Sequence, residues 1–351
     1  MDDARIGLVV DGRYRVEDRI AAGGMGVVYR AVRLGLDKPV AIKFLHRSQA
    51  SVPHQRERFN REAAAMSRLS HPNLVSIIDY GDVDGAPYLV MEYQHGESLR
   101  RVLERGSLPI ERVISIARQI LAGLGSAHVS GVVHRDLKPD NVLLLSSADD
   151  IVKILDFGVA KLIEGDGSPS EMSVMARTIL GTAAYMSPEQ ARGQAIDPRA
   201  DLYAVGIMLY EMVVGRRPFE AERDLAVLRM QVEDPPLRPR NIAPEISPEL
   251  EVVMLRALEK KRTERWETAE AFSAALAQTP EGRPPPASEP VRAALRDSAP
   301  SRKRSGGWAS LVLAMMLLAV AGVSLLWVAD DHGLIEVPWP EWFLRVIATT
   351  I

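Results

Sequence analysis

Residues 134–141 read HRDLKPDN, setting His134, Arg135, Asp136, Lys138, Asp140 and Asn141 within eight positions, with only Leu137 and Pro139 apolar between them. Such a stretch is either a solvated turn or a loop that does chemistry. Asp136 can accept a proton from a hydroxyl, and Lys138 can neutralise a phosphoryl group in transfer. Asn141 can ligate a cation through its amide oxygen. Twenty positions beyond Asp136 comes DFG, whose Asp156 offers a second hard oxygen. Mg²⁺ takes few protein oxygens and completes its shell with phosphate and water, so one Asn and one Asp suffice. Each piece also has a plain structural reading: Asp136 as a helix cap, His134 as a packed core residue, DFG as an ordinary turn.

Working back towards the N-terminus, AAGGMGVV (21–28) is a glycine turn between two strand-like runs, RYRVEDRIA and VVYRAV. Amides of a glycine-rich turn can approach phosphate oxygens because no Cβ intervenes. A dinucleotide-binding loop would need a helix after its last glycine, and VVYRAV is β-like. No GxxxxGK[ST] stretch occurs, which removes the P-loop. VAIKFL (40–45) places Lys43 in an apolar strand. Residues 55–69 follow a helical rhythm with Phe59, Glu62, Met66 and Leu69 on one face. A lysine and a glutamate that each face a core stay ionised comfortably only if they meet. We therefore expect a Lys43–Glu62 pair that aims the lysine at a nucleotide phosphate.

The rest of the chain divides by composition. LVSIIDYGD and APYLVMEY read as two further strands, so residues 12–93 form a small strand-rich lobe with one helix. From residue 96 the character is helical, with helices expected over 111–131, 201–215, 248–261 and 268–278. Residues 278–307 are rich in Pro, Ser and Arg and read as a solvated linker. Residues 308–329, WASLVLAMMLLAVAGVSLLWVA, carry no charge. At about 1.5 Å per residue such a helix crosses a hydrocarbon core of about 30 Å. Trp308 and Trp327 bracket it, and SRKRSGG before it puts residues 1–307 on the cytoplasmic side of a single-pass inner-membrane protein. The tail, 330–351, is too short for a folded sensor domain. The net charge of −3 argues against nucleic acid as a partner, and the absence of cysteine excludes disulfides. MDDARIGLVVDG is not a signal peptide, being acidic and without a long apolar run.

Taken in order, the glycine turn, VAIK, a helical Glu, HRDLKPDN, DFG and SPE resemble the eukaryotic-type protein kinases, over about residues 12–277. HPNLV (71–75), GTAAYMSPEQ (181–190) and GGMG resemble most closely the membrane-anchored bacterial Ser/Thr kinases. The resemblance implies a two-lobed α+β fold, with a β-rich N-lobe (12–93) and a helical C-lobe (96–277), joined through the linker to the transmembrane helix. It also implies ATP and Mg²⁺, with Mn²⁺ as a substitute, protein Ser/Thr acceptors, and homodimerisation through the small lobe.

Residue by residue, the resemblance makes Asp136 the catalytic base. Lys138 marks Ser/Thr over Tyr acceptors, and Asn141 and Asp156 hold the metal. Ile20, Ala21, Ala22, Gly23, Gly24, Met25 and Gly26 cover the phosphates. Val28, Ala41 and Leu143 sandwich the adenine, with Met91 as gatekeeper and Glu92, Tyr93 and Gln94 as hinge. Met66, Ile77, His134 and Phe157 form a spine between lobes. Thr182 shapes the acceptor surface, Glu189 and Arg265 form a buried ion pair, and Asp201 braces the HRD backbone. Ala21 replaces the first loop glycine; because alanine resists φ > 0, it is expected to stiffen the turn. Asp156 to Glu189 forms a loop with Ser168, Ser170, Ser173, Thr178 and Thr182, and Arg135 gives a phosphate a docking place. Ser173 and Thr178 are the expected phosphorylation sites. Asp140 is left without a role.

Overall fold

The structure is a computed structural model that describes residues 4–23, 26–45, 59–60, 63–145, 150–156 and 183–283. Residues 1–284 make one compact unit; residues 285–351 group as a second, which lies outside the described residues, as do the expected membrane helix and tail and the expected linker from residue 284 on. Residues 278–283, expected as the start of that linker, instead end a helix and form a short 3₁₀ turn (Pro280–Gly282) with Thr279 buried. Among the described residues no helix is long and apolar enough to cross a membrane.

The first lobe is an antiparallel sheet of six strands in the order β1-β2-β3-β4-β6-β5. Its strands are β1 (Val9–Val10), β2 (Tyr14–Gly23), β3 (Gly26–Arg33), β4 (Lys38–Leu45), β5 (Ile77–Val83) and β6 (Ala86–Glu92). Period-2 alternation explains the inner face: Val40, Ile42 and Phe44 of β4 are fully buried against Tyr29, Tyr88 and Val90. The β5–β6 hairpin turns on Asp84 and Gly85, both at positive φ, as a two-residue turn matched to strand twist requires. The sheet curls until its edges approach. Tyr14 donates from its hydroxyl to Asp79 at 2.9 Å, Arg13 pairs with Asp79 at 2.5 Å, and Tyr88 donates to Asp11. The lobe thus begins ahead of residue 12, since Val9–Val10 pairs with β2 and Val10 is buried. Residues 59–60 and 63–66 are helical, burying Phe59, Ala63 and Met66.

The second lobe carries a small sheet, β7 (Gly96–Ser98), β8 (Val142–Leu145) and β9 (Ile151–Ile154), in the order β7-β8-β9. Its helices are α1 (Leu99–Leu103), α2 (Ile110–Val129), α3 (Pro188–Ala191), α4 (Arg199–Val214), α5 (Asp224–Glu233), α6 (Pro248–Ala257) and α7 (Ala269–Gln278). Helix α4 is buried nearly all round, from Ala200 to Val213, and closes on Gly215 in the left-handed conformation at φ 79°. It is the post on which the lobe is built, and the catalytic loop hangs from its first turn.

Two departures from the sequence reading have physical causes. Helix α5 buries only Val227 and Gln231, so its apolar rhythm is too weak to read. Helix α6 stops at Ala257 rather than running to Lys261: the N–H groups of Leu258 and Glu259 turn to carbonyls only three residues back, Leu255 and Arg256, and the carbonyls of Glu259 and Lys260 accept from the Arg265 guanidinium at 2.7 and 3.1 Å.

Candidate active site

The HRDLKPDN loop lies between α2 and β8, and its backbone is held in an uncommon shape. Arg135 sits at φ 66°, a conformation that costs a non-glycine residue about 1 kcal/mol or more unless its surroundings over-determine it. Here they do. Asp201, in the first turn of α4, accepts from the backbone N–H of His134 at 2.8 Å and of Arg135 at 2.9 Å. Gln190 donates from Nε2 to the Arg135 carbonyl at 2.7 Å. His128 Nε2 lies 2.8 Å from Asp201, adding a tie to α2. His134 is fully buried, with Nε2 2.9 Å from the Leu155 carbonyl, which links this loop to the segment bearing Asp156. Gln190 and His128 carry no local sequence signal for this work, because their partners are 55 and 73 positions away.

The strained turn brings the loop's functional groups together. Lys138 Nζ is 3.1 Å from Asp136 Oδ2. Asn141 donates from Nδ2 to the Asp136 carbonyl at 2.8 Å, which fixes the amide and presents Oδ1 as its acceptor face. Asp136 is 7% exposed and lines a small recess with Tyr185, Met186, Gln190 and Asp201.

Across from this loop, Lys43 Nζ pairs with Asp156 Oδ2 at 2.9 Å. The sequence reading missed this pair, and its expected partner for Lys43, Glu62, lies outside the described residues. The reason is spacing: Lys43 and Asp156 sit 113 positions apart, so only the fold joins them. Asp156 takes φ 50°, a second strained residue at the same site. The oxygen set of Asn141 Oδ1 and the Asp156 carboxylate fits a hard divalent cation, whose remaining positions phosphate and water would fill.

The nucleotide-lining candidates fall on the facing strands. Val28 pairs with Lys43 and Ala41 with Met91 in the register of β3, β4 and β6. Ala41 and Met91 are buried, while Val28 and Leu143 are partly so. Ile20, Ala21, Ala22 and Gly23 belong to β2 and are exposed; Gly24 and Met25 lie outside the described residues. Ala21 pairs with Val28 in the sheet and is not at positive φ, so the expected stiffening by a forced turn conformation is corrected. Gly26 is the position that needs glycine, since a Cβ there would stand 2.1 Å from the Phe44 carbonyl oxygen.

At the hinge, Tyr93 and Gln94 are partly buried, and the Glu92 carboxylate accepts from Lys153 Nζ at 2.8 Å and from the Ser76 N–H at 3.1 Å. Lys153 stands in an apolar strand just as Lys43 does, a signal that the sequence reading left unused. Met66 and Ile77 line an apolar recess with Met91 and Asp156. Glu189 and Arg265 form a bidentate pair at 2.8 and 2.7 Å, and both are buried. Burial alone would raise the Glu189 carboxyl; the Arg265 hydrogen bonds and charge overcome it and hold it below the usual carboxylate value. Phe157, Ser173, Thr178 and Thr182 lie outside the described residues.

A β-rich lobe, a helical lobe and a polar loop between them that joins an acid, a lysine and a cation-ligating amide define the class of phosphoryl-transferring kinases. The protein kinase domain family matches residues 14–276, and the chain belongs to that family. It is 44% identical over 282 residues to serine/threonine-protein kinase pkn3 of Myxococcus xanthus, covering 78% of this chain and 51% of that protein. It is 41% identical to serine/threonine-protein kinase PksC of Streptomyces coelicolor, covering 74% and 48%, respectively. The crystal structure of the Mycobacterium tuberculosis PknI kinase domain is similar, with a TM-score of 0.62 at 27% identity over 78% of this chain and 98% of that one. The chain spans about half the length of the curated relatives it matches.

Proposed function

We propose that this chain is a membrane-anchored serine/threonine protein kinase that transfers the γ-phosphoryl group of ATP to protein hydroxyls in signal transduction, and that it phosphorylates its own loop. One observation carries the catalytic part: Asp136, Lys138 and Asn141 share a single strained turn facing the Lys43–Asp156 pair. In this reading Asp136 orients the acceptor hydroxyl and takes its proton. Lys138 offsets charge on the phosphoryl group, and Lys43 holds the nucleotide phosphates. Such transfer is mostly positioning and charge neutralisation, so a pre-set turn is what the chemistry requires. Asn141 and Asp156 would hold Mg²⁺, or Mn²⁺ in its place, which supplies charge neutralisation on the phosphates when bound. Gly26 keeps β3 close to β4 under the phosphate-covering turn, and Glu62 would be a second carboxylate partner for Lys43.

The test is transfer of label from ATP to casein and to the chain itself. Lys43→Met is expected to lower kcat/KM for ATP roughly 10²-fold or more. Mass spectrometry of the active wild type is expected to find phosphate within 168–182, on Ser173 and Thr178 first. Labelling by Lys43→Met equal to wild type, or an unmodified loop in active protein, would defeat this reading.

Anchoring rests on the uncharged run 308–329 and the basic SRKRSGG before it, which together favour a cytoplasmic kinase domain and an external tail. Partition of the expressed chain into the membrane fraction, and its release to the soluble fraction on deletion of 308–329, is the expected outcome. A soluble full-length chain counts against the anchor. Pairing of two copies through the small lobe remains part of the proposal by family likeness.

A further inference from the structure

HRDLKPDN is bent at Arg135, and the two peptide groups that flank this residue are both held. Ahead of it, the N–H of the 134–135 peptide donates to Asp201 Oδ1 at 2.9 Å. Behind it, the 135–136 peptide is held at both ends. Its carbonyl accepts from Gln190 Nε2 at 2.7 Å, and its N–H donates to His134 Nδ1 at 3.3 Å. A residue that joins two fixed peptide planes has its φ set by them, and Arg135 stands at 66°. The second plane carries the backbone nitrogen of Asp136, so whatever holds that plane also aims the Asp136 side chain.

Gln190 comes to this plane from a separate piece of chain. It is the third residue of α3, whose N-cap is Ser187, and the two residues cap each other. Ser187 Oγ accepts from the Gln190 N–H at 3.4 Å, while Gln190 Oε1 accepts from the Ser187 N–H at 3.0 Å and from its hydroxyl at 3.2 Å. Glutamate and glutamine both serve such a cap, and the helix dipole favours the charged glutamate in a first turn. Glutamine alone brings an amide nitrogen as well. With the oxygen committed to Ser187, that nitrogen faces the Arg135 carbonyl. The orientation of the amide is forced, since a backbone N–H needs an acceptor and a carbonyl needs a donor. Gln190 is 9% exposed, so water competes little for the bond. Beside it, Glu189 is clamped by Arg265 at 2.8 and 2.7 Å, which gives the cap a fixed base. One end of the side chain therefore serves the fold of α3, and the other serves the turn that carries Asp136.

We propose that Gln190 is a positioning residue for the transfer step: its amide nitrogen sets the orientation of Asp136 and makes it depend on the folded Ser187–Gln190 cap. Without that donor the Arg135 carbonyl is free to turn, and Arg135 relaxes towards negative φ. The inference rests on the protein kinase reading, and its test separates the two. Wild type, Gln190→Glu and Gln190→Met forms of the full chain are assayed at pH 8 with casein as acceptor and ATP varied, and thermal unfolding is the control for folding. At that pH, well above the ordinary carboxyl value, Gln190→Glu keeps an oxygen for the cap and has no donor. Gln190→Met keeps the volume and loses both. One variant adds a charge and the other removes half of the cap, so the lost donor is the change they share. Both are expected to lose about tenfold in kcat or more, worth about 1.4 kcal/mol, with KM for ATP within about threefold of wild type. A merely structural role predicts a different pattern, in which Gln190→Glu works as wild type does because its cap is intact. Gln190→Glu at the wild-type kcat would therefore overturn the proposal, whether or not Gln190→Met folds. A folded Gln190→Met within about threefold of the wild-type kcat would overturn it equally. A wild type that labels neither casein nor itself ends the kinase reading, whereas an active wild type with an equally active Gln190→Glu ends this inference alone.

Discussion

Asp136→Asn is expected to lower kcat by roughly 10²–10⁴-fold, the usual worth of a positioned general base, with little change in KM for ATP. The substitution is nearly isosteric. An asparagine oxygen still accepts from Lys138, and the backbone carbonyl that receives the Asn141 amide is untouched. The loop's shape comes from Asp201 and Gln190 acting on residues 134 and 135, not from the Asp136 carboxylate. What disappears is the group able to take the hydroxyl proton. Steady-state kinetics on an acceptor peptide, with thermal unfolding as the control for folding, checks this. A variant within tenfold of wild type would remove Asp136 from the base role.

Arg265→Leu carries the largest expected cost in stability. The arginine is fully buried and the Glu189 it leaves behind is 4% exposed. Breaking a buried pair by removing one partner costs about 3–5 kcal/mol, because the remaining charge is uncompensated. Arg265 also donates to the carbonyls of Arg199, Glu259 and Lys260, so the loop after α6 loses its donor as well. For a domain of this size the melting temperature should fall by about 6–20 °C. The pH dependence has a definite sign. The folded pKa of Glu189 is depressed, so its contribution is present above the unfolded value near 4.3 and is lost as pH falls through the folded value. In Arg265→Leu, burial is unopposed and raises that pKa, so the gap between variant and wild type should narrow as pH falls towards 4. Urea midpoints at pH 7 and pH 4.5 measure it; a gap that is equal at both pH values, or absent at pH 7, would show that the pair is not what holds α3 to the α6–α7 segment.

These expectations draw on parts of the site that were unequally visible before the fold was seen. The helices with a clear apolar stripe, α2 and α7, and the almost wholly apolar α4 stood within two residues of their expected ends. Helix α5 did not show, since a helix that rests on the surface by two residues has no stripe to read. Lys43 drew attention as a charge in an apolar strand; Lys153, equally placed, points at the hinge carboxylate and was passed over. Asp140 offered no partner in the sequence, because Arg100, whose Nε lies 3.5 Å from its Oδ2, stands forty positions earlier.

The sequence by itself determined which chemistry this protein can carry. The order of the glycine turn, VAIK, HRDLKPDN and DFG names an acid, two lysines and two oxygen ligands, and side-chain type is a local property. Only the tertiary structure decided which of them meet. Asp201 reaches back 67 positions to bend the catalytic loop, Lys43 finds Asp156, and Arg100 closes on Asp140 and Glu211. Ion pairs and hydrogen bonds act over about 3 Å, and separation along the chain says nothing about separation in space until the core has packed.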